Sequence, residues 1–327
     1  MWKSIDGGNS WKASTPAAGA VNALAVSPDF SADRTIFAAV AGSGLYKSAD
    51  GGSSWTRAND NREIRSLAVS PSYASDGTIF FGATELGNAG AYRSQDRGNS
   101  WTRIVNGMNN ILVFSLAISP NYAKDKTVFF GATATWNSGA YRSQDGGSSW
   151  VRISDGLHNA FVFSLAVSPN HANDRTLLAG TNGFLFESTN SGDSWEQVLS
   201  STPPPVLHLV GAITSMAVSP NFSNDGVAFA GTNQEVYRRG RGWGSHKVTF
   251  GSVLSLAVSP RYATDRTLFA GSEGKGVWMS NDEGETWVAT NDGLSSLKVE
   301  SLAVISEPTP TIFAATAQGV YKTTARP

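Results

Sequence analysis

The chain contains no cysteine. That excludes disulfides, thiolate metal sites and a cysteine nucleophile. Charge is scarce as well: charged residues are 16% of 327 and the formal net charge is −1. A chain so balanced has no long-range field to hold nucleic acid or an anionic membrane. No stretch approaches the roughly 20 apolar residues of a membrane-spanning helix. Histidine occurs four times, never as His-x-x-His, so neither a metal site nor a cofactor is expected. The opening residues MWKSIDGG lack the apolar core of a signal peptide.

What the chain does have is 34 Gly, 10 Trp and 40% hydrophobic residues. At this length, folding buries roughly 75% of the surface of the unfolded chain. The sequence is also periodic. LAVSP or a close variant occurs at 24–28, 67–71, 116–120, 165–169, 216–220 and 256–260, and SLAVIS at 301–306 is a seventh copy without Pro. Successive copies lie from about 40 to about 51 residues apart, near the period of a four-stranded propeller blade. After Ser-Pro the first six copies carry an aspartate, namely Asp33, Asp76, Asp125, Asp174, Asp225 and Asp265. An apolar run such as TIFAAV (35–40), a Gly-containing turn and an aromatic run such as GLYKS (44–48) follow. All these segments are short, β-branched or aromatic, and bounded by Gly, Pro, Asn or Asp, which reads as strand. No segment sustains a helical period.

The expected fold is all-β: a seven-bladed β-propeller of four-stranded antiparallel blades, forming a single domain over 1–327. Strands A to D of the blades are expected within about 21–58, 64–105, 112–153, 161–199, 212–250, 252–290, and 299–325 plus 9–15. Strand A, rich in Ala and Ser, suits the crowded inner position. The C-terminus supplies strands B and C of the last blade, and the N-terminal segment a strand D. That strand should complete the last blade and close the ring, hiding sheet edges that would otherwise be exposed. Residues 1–4 compete with 321–324 for one slot.

Between strands C and D a box recurs: SIDGGNSW (4–11), SADGGSSW (48–55), SQDRGNSW (94–101), SQDGGSSW (143–150) and SNDEGETW (280–287). A sixth copy, STNSGDSW (188–195), has Asn190 in place of Asp. This S-x-D-x-G-x-x-W pattern resembles the Asp-box, or bacterial neuraminidase repeat. That repeat is found in sialidases, sortilin-type receptors, two-propeller xyloglucanases and photosystem II assembly factors. Enzymes and non-enzymes share it, so it implies a fold and no reaction. The residues themselves read as structural. Asp6, Asp50, Asp96, Asp145, Asn190 and Asp282 can accept backbone hydrogen bonds in a turn. The glycine permits positive φ, and the Trp is expected to pack toward the next blade. One Asp per blade cannot make a catalytic dyad.

Function is therefore sought where the repeats vary. The B–C loops TELGNAG (84–90) and TATWNSG (133–139) are enlarged. The D–A loops NGMNNILVF (106–114) and DGLHNAFVF (155–163) share their face. Together they nominate Glu85, Asn88, Met108, Trp136, Asn137, His158 and Phe161 for stacking on a sugar or docking a protein. In YRRGRGW (237–243) the box breaks down, and Arg238, Arg239 and Arg241 form a candidate basic patch. Sialidase resemblance also implies an aromatic-Arg-Ile-Pro motif, and this chain has only Arg103-Ile104 in WTRIV. The reading is a non-catalytic scaffold for a protein or glycan partner at one mouth of the ring. No nucleic acid or membrane span is expected, and the protein is read as a monomer, extracytoplasmic or secreted. The alternative is a glycoside hydrolase of sialidase or xyloglucanase type, and the third reading an assembly factor of the photosystem II type.

Overall fold

Seven four-stranded antiparallel sheets stand in a ring in the computed structural model. It describes residues 11–104, 106, 111–133, 137–158, 160–200, 211–240, 242–248, 250–306 and 311–324. Residues 1–4, Asp6, Met108, Trp136, His208 and Arg241 lie outside these. In blade 1 the strands are Val21–Val26, Ile36–Val40, Gly44–Ser48 and Thr56–Asn59, paired in that order. The A strands of blades 2 to 7 are Ile64–Val69, Leu112–Ile118, Val162–Val167, Ser215–Val218, Val253–Val258 and Val299–Ile305. Each A strand neighbours the A strands of the blades on both sides, including the last with the first. Among the described residues no helix is long and apolar enough to cross a membrane.

Strand B shows why the repeats lack polar–apolar alternation. Ile36–Val40, Ile79–Ala83 and Leu268–Ser272 are buried along their whole length, because neighbouring blades cover both faces. The glycine of the FGAT-type run marks the closest approach. A Cβ on Gly131 would lie 2.6 Å from Val162 Cγ1 in the next blade, and on Gly82 2.5 Å from Val113 Cγ1. Small residues on strand A permit a second contact. The backbone N–H groups of Leu165, Leu256 and Leu302 donate to Ser115, Ser215 and Ser255 of the preceding blade at 2.9, 2.8 and 2.9 Å.

The last junction uses the same parts. Strand Lys12–Ser14 pairs antiparallel with Gly319–Thr324, Lys12 opposite Lys322 and Ser14 opposite Val320. Leu24 N–H donates to Ser301 Oγ across the junction at 3.3 Å. The N-terminal strand thus completes blade 7 and closes the ring.

The Ser-Pro segments are helical, although no helical period is legible there. Each makes one turn of α-helix, such as Phe30–Asp33, ending in a left-handed residue such as Arg34 at φ 53°. Asp33 closes the turn by accepting from Ser27 Oγ at 2.6 Å and Thr35 N–H at 2.8 Å. Asp76, Asp125, Asp174, Asp225 and Asp265 do the same. Four residues are too few to show a 3.6-residue period, so the pattern was invisible.

Candidate functional site

The repeated carboxylates are committed to their own turns. Asp50 Oδ1 accepts from Ser53 N–H at 2.7 Å, Ser54 N–H at 2.9 Å and Ser48 Oγ at 2.8 Å; Oδ2 accepts from Ser54 Oγ at 2.6 Å. Burial raises the Asp50 pKa, but the bonds from Ser54 and Ser48 outweigh it and hold the carboxyl at about 2. Bonds from Ser100 and Ser94 likewise hold Asp96 at about 2. Asp145 also lies at about 2, the same balance of burial against bonds from Ser149 and Ser143 applying. Asn190 keeps the pattern with one bond reversed: Oδ1 accepts from Ser194 N–H at 2.9 Å, while Nδ2 donates to Ser194 Oγ at 2.8 Å. Each described box stands in a different blade, and no two of these aspartates meet.

Four box Trp side chains reach the preceding blade in chain order rather than the following one, while Trp101 and Trp287 bond to the glycine carbonyl of their own box. Trp150 Nε1 donates to the Ile104 carbonyl at 2.9 Å and Trp195 Nε1 to Ile153 at 2.7 Å. At the closing junction Trp55 Nε1 donates to Ser14 Oγ at 2.8 Å, and Trp11 Nε1 donates to the Thr290 carbonyl. A basic residue on strand C clamps the other side. Lys47, Arg93 and Arg142 donate to the box carbonyls of Arg97, Gly146 and Ser191 in the following blade, at 2.8, 2.7 and 2.9 Å.

Blade 5 lacks a box, and Arg238 and Arg239 are engaged. Arg238 pairs with Glu283 of blade 6, and Arg239 with Glu187 of blade 4 at 2.8 Å. Glu187 occupies the strand C position where Lys47 and Arg93 act as donors. Where the box carbonyl is missing, the clamp therefore runs in the opposite direction, from a base in the later blade to an acid in the earlier one.

The variable residues gather on the other face, in two separate cavities. Glu85 and Asn88 line one of about 300 Å³ with Asn59, Asp60, Asn61, Arg62 and Tyr92, between blades 1 and 2. Its groups are cross-linked: Arg62 N–H donates to Glu85 Oε2 at 3.4 Å, and Tyr92 Oη to the Asn88 carbonyl at 2.8 Å. Burial raises the Tyr92 pKa, so its phenol stays a neutral donor. His158 and Phe161 line a second cavity of about 210 Å³ with Leu157, Asn182, Phe184 and Phe186, on blade 4. His158 adopts φ 50°, a strained conformation for a residue with a Cβ. Asn137 is exposed on blade 3, and its carbonyl accepts from Tyr141 Oη at 2.8 Å. Of the five exposed large apolar side chains among the described residues, Leu86, Phe161 and Leu297 lie on this face. Among the described residues no three His, Asp or Glu side chains are grouped to hold a metal.

A third feature was not singled out from the sequence. The A–B register slips at one residue in six blades: Asn22, Arg65, Phe114, Phe163, Leu254 and Glu300 each have no partner on strand B. Each stands between a β-branched residue that is at most 2% exposed and the Ser or Ala that immediately precedes the LAVSP-type repeat. A bulge leaves its residue unpaired and bends the strand, and strand A is innermost, so these six residues stand at the inner edges of their blades, around the central opening. The Phe114 and Phe163 rings meet across a blade junction at 5.9 Å. Arg65 pairs with Glu63 at 3.2 Å and Lys298 with Glu300 at 2.8 Å. Bonding to Glu300 raises the Lys298 pKa, and the Arg65 guanidinium opposes this, although blade 1 stands between them. The signal was legible as the one variable position inside an otherwise uniform repeat. Asp60 was missed as well, within the polar run NDNRE (59–63).

These features define a closed seven-bladed β-propeller with a conserved-by-repetition face and a variable one. No family model matches the chain, and no curated protein matches it in sequence. It is similar to the extracellular domain of the hybrid two-component system BT4673 from B. thetaiotaomicron. The TM-score is 0.72 at 15% identity, covering 98% of this chain and 40% of that one. The extracellular domain of BT3049 from the same organism gives 0.65 at 13%, covering 94% and 40%. A GH74 enzyme from Niastella koreensis gives 0.46 at 18%, covering 90% and 62%. At such identities the first two likenesses concern the fold alone, and this chain spans about 40% of the length of those domains.

Proposed function

We propose that this chain is a non-catalytic propeller of the Asp-box type, a single rigid domain that presents its variable loop face to a glycan or protein partner. The observation that carries this reading is the division of labour between faces. The repeated carboxylates satisfy their own turns, while the non-repeating polar and aromatic groups line open cavities on the opposite side. A place outside the cytoplasm agrees with the extracellular origin of the similar domains. The test is a glycan and peptide array probed with the intact protein. Binding should weaken when loop-face residues are replaced and persist when strand D residues such as Val151 are changed. Binding lost only on replacing Val151 or its outer-edge neighbours would reject this reading.

A second reading rests on one observation: Asp60 and Glu85 line the same cavity, as a pair of hydrolytic carboxylates would. Turnover of a β-glucan or sialoside, abolished by Asp60→Asn and by Glu85→Gln, would establish a glycoside hydrolase in place of the scaffold. The assembly-factor reading called for a dominant arginine patch, and the ion pairs of Arg238 and Arg239 give it no support.

A further inference from the structure

The bulged residues vary around the ring, only Phe114 and Phe163 being alike, while their flanks stay Val or Ile on one side and Ser or Ala on the other. In ring order they read Asn22, Arg65, Phe114 and Phe163 in blades 1 to 4, then Leu254 and Glu300 in blades 6 and 7. Exposed Thr214 precedes strand A in blade 5. The rim is therefore two-sided. An apolar arc runs through blades 3, 4 and 6, and a polar arc through blades 7, 1 and 2. The scaffold does not require this. The same backbone accepts Asn, Arg, Phe, Leu or Glu, so the order around the ring is free to encode a ligand.

We propose that this rim is a recognition ring for a neutral glycan, with one sugar ring packed on the Phe114–Phe163 arc and its hydroxyls hydrogen-bonded by the Glu300–Asn22–Arg65 arc. The inference rests on the binding-module reading and names the ligand of its face. Charge decides against ionic ligands. Arg65 is neutralised by Glu63, and Lys298 by Glu300, so the polar arc offers donors and acceptors with no net sign. A sialoside or a peptide carboxylate would find no uncompensated cation there. A neutral pyranose has an apolar face for aromatic contact and equatorial hydroxyls for paired charged groups. The apolar arc also continues outward. The Phe161 ring is 48% exposed and lies 6.5 Å from Phe163; beyond it is the blade 4 cavity under Phe184 and Phe186. That gives room for a second sugar unit and predicts an oligosaccharide rather than a monosaccharide.

The experiment is calorimetric titration of the full chain with cellohexaose, laminarihexaose and mannohexaose, beside sialyllactose and a random peptide library on beads. At least one neutral hexaose should bind. Phe163→Ala and Arg65→Ala should each weaken it about tenfold or more. Glu300→Gln, a surface change that keeps the shape, guards against loss through misfolding and should weaken it too. Val151→Thr, on an exposed strand D at the outer edge, should leave it unchanged. If hexaoses bind but depend on Glu85 and Asn88 rather than on the rim, the ring assignment is wrong and the binding-module reading stands. If only sialyllactose or peptides bind, the neutral-glycan assignment is wrong and the module reading again stands. If no probe of any class binds, both fail.

Discussion

At the residue scale the box aspartate is a hydrogen-bond acceptor whose charge is stabilised by its own turn. Asp50, Asp96 and Asp145 have pKa values of about 2, below the roughly 3.9 of an unfolded Asp. The unfolded state therefore binds protons first as the pH falls. The stabilising contribution is complete above about pH 4 and is lost as the pH drops toward about 2. Urea midpoints measured from pH 6 to pH 2 should decline over that window. Replacing Ser54, Ser100 and Ser149 by Ala removes the side-chain donors and should raise the three pKa values in an NMR titration, narrowing the decline. Asn190 shows that the turn needs the Oδ1 acceptor more than the charge. The sequence made this role legible because the chemistry is local: donor and acceptor lie within four residues of each other.

Between elements, the blades are held by contacts that join residues 40 to 50 positions apart, and these were only partly legible. The glycine of strand B sits inside an apolar run. It is where the next blade's Val or Ile packs. Ala39 and Ala315 occupy the equivalent position in blades 1 and 7, but Gly131→Ala would press a methyl against Val162. Destabilisation of about 1–3 kcal/mol is expected from overpacking, read as a lower urea midpoint. The arginines of blade 5 looked like a patch because sequence gives their charge and not their partners. Glu187 and Arg239 are both largely buried, and burial raises the Glu187 pKa while Arg239 opposes it. A double-mutant cycle with Glu187→Gln and Arg239→Gln should show a coupling of about 1–2 kcal/mol. A coupling near zero would mean that the reversed clamp contributes nothing at that junction.

For the whole molecule, closure depends on a short strand. Among the described residues Lys12–Ser14 pair with the last blade, and Trp11 and Ser14 extend the hold. Trp11 bonds to Thr290 in blade 6, and Ser14 both donates to the Gly52 carbonyl and accepts from Trp55. Trp11→Ala should therefore lower the melting temperature more than Trp101→Ala, whose indole bonds within its own box at 3.2 Å. Differential scanning calorimetry should also show a broader transition, as blades 6, 7 and 1 lose their shared edge. The number of blades, the order of strands within each and the use of the N-terminal segment to finish the last one were all written in the sequence. They follow from repeated local patterns, and each pattern specifies a hairpin and a contact with the adjacent copy. Which variable residues share a site was not written there. Glu85 and His158 belong to loops of one face, yet line different cavities, because they stand on different blades. Arg65 and Glu300 stand 235 positions apart in the sequence and belong to one rim, because each is the bulged residue of an innermost strand. Distance across a ring is set by rotation about that axis, and no local pattern of residues records it.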